Sequence, residues 1–255
     1  MKLIDSHCHL EADEFDSCID SIIDNAVNAG IVKLITSSVE YSQWEKSKNL
    51  HERFNSVEFT IGVHPWYVSE TDRDIKDKLI NADNIGAIAI GEIGLDKKIQ
   101  SPPFDLQQNI FELQLQYAVD VNKPVIIHCR RAFNELIESI NRIGIPKKGG
   151  IVHAYSGSAE LAEILIKKGL SFSMGGTLTY RNSKKRSDAL KVIYPDYFLL
   201  ESDSPDIPPV NSVKPNVPSN ILLSLKAASE ILMIDQESIA ETTTENAKKI
   251  FGINI

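Results

Sequence analysis

The chain is poor in cysteine, and its apolar residues never gather into a long run. Its 255 residues include three cysteines, Cys8, Cys18 and Cys129. The number is odd, no Cys-x-x-Cys spacing occurs, and a chain of this size needs no covalent staples. The thiols are therefore read as free and the setting as reducing. No stretch reaches the ~18 consecutive apolar residues of a transmembrane helix, so no membrane span is expected. The opening MKLIDSHCHLEADEF has no apolar core and meets acidic residues at once, so a secretory leader is not expected and the cytoplasm is the expected compartment. Positive charge is also scarce: 27 Lys and Arg against 35 Asp and Glu give a formal net charge of −8. That balance excludes a general DNA-coating protein, which uses excess cations to displace counterions from phosphate. It leaves room for an enzyme that meets nucleic acid at one locally positive site. No glycine-rich dinucleotide turn follows the first apolar run, and no low-complexity stretch or long linker interrupts the chain.

What the chain does have is a short, β-branched apolar run followed by a longer helical pattern, again and again. Eight runs occur, at 3–10, 31–39, 57–65, 85–95, 124–129, 149–157, 170–180 and 197–205. Near-continuous apolar strands belong to sheets covered on both faces, as in parallel pairing with crossover helices. Residues 104–121 place Phe104, Ile110, Phe111, Leu113, Leu115, Ala118 and Val119 along one broad stripe, and Asn122 and Pro124 stop it. Residues 158–169 open on a serine cap and close on Lys-Lys-Gly, which places cations and a glycine at a helix C-terminus. Eight strands alternating with helices over 255 residues fit one α/β domain, 1–255, folded as a TIM (β/α)8 barrel; an open doubly wound sheet is the alternative.

The histidines fall in a pattern. Of six, five lie at or near the C-terminal end of a predicted strand: His7 and His9 on the first, His64 on the third, His128 on the fifth and His153 on the sixth. Only His51 lies inside a helical stretch. Glu92 ends the fourth strand and Asp203 the eighth. In a parallel barrel all strand ends share one rim, and that rim carries the active site. His7 and His9 are two apart on a strand, so both rings point to one side and Cys8 to the other. Cys8 and Cys129 are read as small buried hydrophobes rather than soft metal ligands. His7, His9, His128, His153, Glu92 and Asp203 form a donor set rich enough for two divalent ions, with Glu92 placed to bridge them. Asp203 can ligate and also accept a proton from an attacking water. Mixed nitrogen and oxygen donors suit Zn, Mn, Co or Fe at least as well as Mg.

At this point the chain resembles the TatD family of metal-dependent hydrolases. The matching stretches are DSHCHL (5–10), GVHP (62–65), GEIGLD (91–96), PVIIHCR (124–130), HAYSG (153–157) and ESDSP (201–205), in the family's order from end to end. GGTLTY (175–180) and SDSPDIPP (202–209) are similar to its YjjV-like branch. The resemblance implies a TIM barrel and deoxyribonuclease-type activity. His7, His9, Glu92 and Asp203 would hold one ion, and Glu92, His128 and His153 the other. Glu92 and Asp203 would be the catalytic residues. His64 would meet substrate phosphate or support the metal ligands rather than bind metal itself, with Arg130 and Tyr155 as further substrate-binding residues. The chain departs from the family pattern at Lys97 and Lys98, where an aromatic residue is common, and at Pro215-Asn216-Val217-Pro218, which lacks an acidic residue.

Cations cluster in loops after strands: Lys97 and Lys98; Arg130 and Arg131; Arg181, Lys184, Lys185 and Arg186. They are expected to form a positive funnel on an acidic body. The resulting expectation is a deoxyribonuclease that cleaves phosphodiester bonds by attack of a metal-bound hydroxide. DNA would be its substrate, with RNA a further one, and it would work as a monomer or weak oligomer away from membranes. A small-molecule amidohydrolase, esterase or deacylase is the second reading. It is weakened because Glu92 stands where many such barrels bridge their metals with a carboxylated lysine. A non-catalytic binding protein is the third, opposed by the cost of keeping unpaired histidines and carboxylates buried without a metal.

Overall fold

The computed structural model describes residues 1–82, 85–180 and 183–255. Each apolar run gives a strand, with β4 and β5 ending one residue past their runs: β1 (Leu3–Cys8), β2 (Ile31–Ser37), β3 (Val57–Ile61), β4 (Ala89–Asp96), β5 (Val125–Arg130), β6 (Gly150–Val152), β7 (Leu170–Met174) and β8 (Phe198–Leu200). They pair in chain order within one sheet, and each of the ladders joining them is parallel. Between β8 and β1 the gap is bridged by individual bonds. The Ser6 hydroxyl donates to the Leu200 carbonyl at 2.8 Å, the Ser202 N–H to the buried Asp5 carboxylate at 2.8 Å, and the Asp203 N–H to the His7 carbonyl at 3.0 Å. The sheet thus curls into a TIM barrel.

The helices are α1 (Ile19–Asn28), α2 (Trp44–Arg53), α3 (Ile75–Ala82), α4 (Phe104–Val121), α5 (Phe133–Ile143), α6 (Ala159–Ile166), α7 (Lys184–Ile193), α8 (Ile221–Leu232) and α9 (Gln236–Phe251). α4 has the bounds its apolar stripe predicts, and Asn122 ends it at φ 53°, in the left-handed conformation that asparagine tolerates. α6 starts as predicted, with the Ser158 side chain accepting the Leu161 N–H at 3.3 Å. It stops at Ile166, and Lys167–Gly169 turn into β7 instead of extending it. No described helix is long and apolar enough to cross a membrane.

The runs predicted for β6 and β8 overshoot, because both strands are short and the chain then swings onto the rim. Ala154 (φ 44°) and Asp203 (φ 54°) take left-handed conformations there, an arrangement unusual for non-glycine residues and frequent at functional sites.

Two apolar layers hold the barrel. Val125 and Ile127 face the helices, while Ile126 faces inward beside Ile4, Ile35, Ile151 and Leu199, as strand alternation requires. Ala247, Ile250 and Phe251 of α9 join this inner layer. α9 is tied to the strand starts by the Thr244 hydroxyl, which donates to the Lys2 carbonyl at 3.1 Å, and by the Asn246 amide, which donates to the Phe198 carbonyl at 2.9 Å. That seals the N-terminal end of the barrel and leaves the C-terminal rim open. The strands that carry His7 and Glu92 both show register shifts, in β1 between Asp5 and Cys8 and in β4 between Ile90 and Ile93. Such irregularities re-aim side chains at barrel rims. Gly94 (φ 153°) makes room for β5: a Cβ there would lie 1.9 Å from the His128 carbonyl oxygen.

Candidate metal centre

The predicted ligands meet at the open rim around Glu92. Its Oε1 lies 2.7 Å from His153 Nε2, 3.2 Å from His128 Nδ1 and 3.2 Å from His64 Nε2. Its Oε2 lies 3.3 Å from His7 Nε2 and 3.6 Å from His9 Nε2. Asp203 Oδ1 stands 3.5 Å from His7 Nε2 and 3.6 Å from His9 Nε2. The rings of His7 and His9 point to the same place, 4.7 Å apart between centroids and perpendicular. The Cys8 thiol turns away and donates to the Ile35 carbonyl at 3.5 Å.

Hydrogen bonds on the far side of each ring sort the imidazoles by what they present. A carbonyl can only accept, so the 2.8 Å contact of His9 Nδ1 with the Ser37 carbonyl puts the proton on Nδ1 and leaves the Nε2 lone pair facing the cluster. His128 is reversed: its Nε2 faces the Asp96 carboxylate at 3.4 Å, so Nδ1 presents the lone pair. Carboxylates and carbonyls that hold the second ring nitrogen are the usual supports of metal-ligating histidines. His64 differs. The Trp66 N–H donates to its Nδ1 at 3.1 Å, so the neutral ring carries its proton on Nε2 and points an N–H at Glu92. Burial, only partly offset by Glu92, lowers the His64 pKa to about 4, which keeps the ring neutral at pH 7. His64 therefore presents an N–H, not a lone pair, to Glu92.

The charges are set by the same contacts. Burial works to raise the Glu92 pKa, but His153, His64 and His7 outweigh it and hold the group well below the usual carboxylate range. Asp203 is likewise held low against burial by the imidazoles of His7 and His9 beside it. For His7, burial opposes protonation, yet Glu92 and Asp203 push its pKa up to about 10.

This donor set fits divalent cations. The buried atoms His7 Nδ1, His7 Nε2, Glu92 Oε1 and His153 Nδ1 make no aligned hydrogen bond, although other donors or acceptors stand close to most of them. Buried polar atoms without a partner are costly, and a cation that takes the inward-facing lone pairs removes much of that penalty. Three groups bring one donor atom each to within 4.8 Å of the others: His7, His9 and Glu92; His7, His153 and Asp203; and His64, Glu92 and His128.

Several supporting residues were not anticipated. Glu11, buried beside His9, lies 3.3 Å from its Nδ1 and accepts a short hydrogen bond from the Thr36 hydroxyl. Asp96 stands behind His128. Glu201 accepts the Ala154 N–H at 2.8 Å and lies 4.0 Å from His153 Nδ1. Asp96 and Glu201 sit inside the GEIGLD and ESDSP stretches, where an acidic residue at a strand end was the available signal.

A cavity of about 630 Å³ opens over the cluster. Arg130 lines it as expected, and so does the otherwise buried Cys129. Tyr155, expected at the substrate site, does not line the cavity. The left-handed turn at Ala154 sends it into the core, where it is 2% exposed, packs on Phe172 at 4.5 Å and donates its hydroxyl to the Ser158 carbonyl at 2.7 Å.

The expected positive funnel is not what lines the cavity. Arg130 is the one cation in its described lining, against Asp13, Glu14, Glu40 and Asp206. Four of the other loop cations are engaged locally. Lys97 pairs with Glu135, and Lys184 with Asp188 at 2.6 Å. Lys185 donates to the Ser156 carbonyl at 2.7 Å and Arg186 to the Tyr180 carbonyl at 3.0 Å. Arg181 lies outside the described residues.

Comparison with known proteins agrees with this architecture. The family model described as TatD related DNase matches residues 4–252. An uncharacterized metal-dependent hydrolase of Bacillus subtilis, YabD, is 32% identical over 254 residues, covering 99% of this chain and 100% of its own. Human deoxyribonuclease TATDN3 is 30% identical over 266 residues, covering 98% of this chain and 94% of its own. The crystal structure of Escherichia coli YJJV, a TatD homolog, superposes with a TM-score of 0.91 at 28% identity, covering 99% of this chain and 98% of that one. With family motifs, barrel and convergent donors in agreement, the chain belongs to the TatD family of metal-dependent hydrolases.

Proposed function

We propose that the chain is a deoxyribonuclease that hydrolyses phosphodiester bonds at the rim centred on Glu92. The observation that carries this reading is the convergence of five imidazoles on one buried glutamate, with the Asp203 carboxylate beside His7 and His9, beneath an open cavity. His7, His9, Glu92 and Asp203 would hold one divalent ion, and Glu92, His128 and His153 a second; Zn, Mn, Mg, Co and Fe are the candidates. Such ions lower the pKa of a bound water and neutralise charge on a phosphoryl group. The protein's own groups do the rest. Asp203, kept ionised by His7 and His9, is placed to take the proton of the attacking water. His64 offers its Nε2–H to a non-bridging phosphate oxygen. Arg130 supplies the wall's one described positive charge to a neighbouring phosphate. The family description and the name of human TATDN3 favour DNA as the substrate.

The acidic outer wall favours a second reading, a small ester or amide with little negative charge. One panel separates the two. Metal-stripped protein is reconstituted ion by ion and assayed on single- and double-stranded DNA, RNA and a set of esters and amides, beside Asp203→Asn. The proposal expects metal-dependent DNA cleavage that falls by about 10²- to 10⁴-fold in Asp203→Asn, the range for losing a positioned proton acceptor. Cleavage of esters or amides without DNA cleavage overturns it.

A further inference from the structure

One large aromatic side chain at the cavity mouth has no part in holding metal. Trp66 follows His64 by two residues, lines the cavity and leaves 44% of its surface exposed. The ring is fixed in place. Its Nε1–H donates to Oδ2 of the fully buried Asp96 at 2.7 Å, and its backbone N–H to His64 Nδ1 at 3.1 Å. Asp96 is itself anchored: its Oδ1 accepts the Lys98 N–H at 2.7 Å, and its own N–H donates to Gln107 Oε1 at 2.9 Å. The same Oδ2 faces His128 Nε2 at 3.4 Å, so one carboxylate sets both the indole and a candidate metal ligand. The indole stands edge-on to His64, 5.1 Å between centroids at 87°, and 6.2 Å from the His128 ring.

We infer that Trp66 is a stacking platform for a planar aromatic group carried by the substrate next to the bond that is cleaved. On the deoxyribonuclease reading, on which this inference rests, that group is a nucleobase. Three observations carry it. The indole is pinned through its polar edge, so little freedom is lost when a ring lies on its face. It is open on nearly half its surface, where burial against a partner brings an apolar gain. Beyond Arg130 the described wall is acidic, so ionic contacts to the phosphate chain away from the cleaved bond are few, and exposed aromatic faces, Trp66 with its neighbour Tyr67, are the uncharged surfaces open to a base. Stacking of this kind tolerates any base, so Trp66 selects for the presence of a base rather than its identity.

The test uses the metal-loaded protein and two readouts. The chain has two tryptophans, and Trp44 is 3% exposed, so Trp66 dominates the part of the emission that a ligand can change. Added dAMP should quench that emission, 2-deoxyribose 5-phosphate should not, and Trp66→Leu should abolish the quench. On oligonucleotides, Trp66→Leu should lower kcat/KM by about 5- to 100-fold. The loss should be at least fivefold smaller on an oligonucleotide whose nucleotide at the cleavage site lacks its base, and Trp66→Phe should recover most of it. Equal quenching by the sugar phosphate, no quenching by dAMP, or equal losses on the two oligonucleotides overturns the platform. Base-dependent quenching in a protein that cleaves no phosphodiester overturns the deoxyribonuclease reading and leaves the platform standing.

Discussion

Glu92→Gln is the sharpest perturbation of the site, because one buried carboxylate touches all five imidazoles at 2.7–3.6 Å. The amide keeps the shape, removes the charge, and replaces one acceptor oxygen with a donor that points N–H groups at the lone pairs. If Glu92 bridges two ions, the change weakens both. Losing a group that merely supports a metal ligand typically reduces affinity 10- to 100-fold, so losing the shared ligand should reduce it by about 100-fold or more. At a free metal concentration 100 times the wild-type Kd, each bound ion adds about 2.7 kcal/mol to the stability of the native protein. The variant, with its Kd raised to that concentration, gains about 0.4 kcal/mol. For a chain of this length, 1 kcal/mol moves Tm by about 2–4 °C. Thermal unfolding with and without metal should therefore show a rise of about 5–10 °C per bound ion for the wild type and under about 2 °C per ion for Glu92→Gln. A similar rise in both proteins would refute the view that Glu92 holds the metal. No rise in the wild type with any of the candidate ions would refute the metal centre.

Two more predictions follow from the geometry. Tyr155→Phe removes a buried hydroxyl that donates to the Ser158 carbonyl, so it should lower stability by about 1 kcal/mol and leave KM within twofold; a tenfold KM rise without a Tm change would return Tyr155 to the substrate site. Burial, against hydrogen bonds from Ser202 and His7, raises the Asp5 pKa from 3.8 to about 7 in the folded chain. A carboxyl whose folded pKa is raised favours folding below its unfolded pKa, and that contribution is lost as pH climbs through the folded value. In metal-free protein, wild-type stability relative to Asp5→Asn should therefore fall between about pH 4 and pH 7, by up to roughly 4 kcal/mol. Parallel denaturation curves for the two proteins at pH 5 and pH 8 would refute the assignment.

The strands and the donor set were legible in the sequence because both leave local traces. A buried parallel strand needs a run such as Val125–Ile127, and its rim end needs a residue such as His128 to face the opening. The alternation of His7, Cys8 and His9 likewise survives folding. What lay beyond the sequence depends on contacts through space. Nothing local indicates that Ala154 takes a left-handed turn and buries Tyr155, or that Lys97 is taken by Glu135 and Lys184 by Asp188. The funnel expected from loop cations failed for that reason: a cation count in a loop says nothing about which carboxylate each cation meets. The proton on His64 Nε2 is set by a backbone N–H two residues on, and the fixed indole of Trp66 by a carboxylate from another strand.

Anomalous X-ray diffraction from crystals soaked in Mn or Zn tests the central claim most directly, because it locates the ions without reference to any substrate. The account predicts two peaks at the barrel rim, one among His7, His9 and Asp203 and one between His128 and His153, with Glu92 reaching both. A rim without a peak, or a lone ion that Glu92 does not contact, would contradict it.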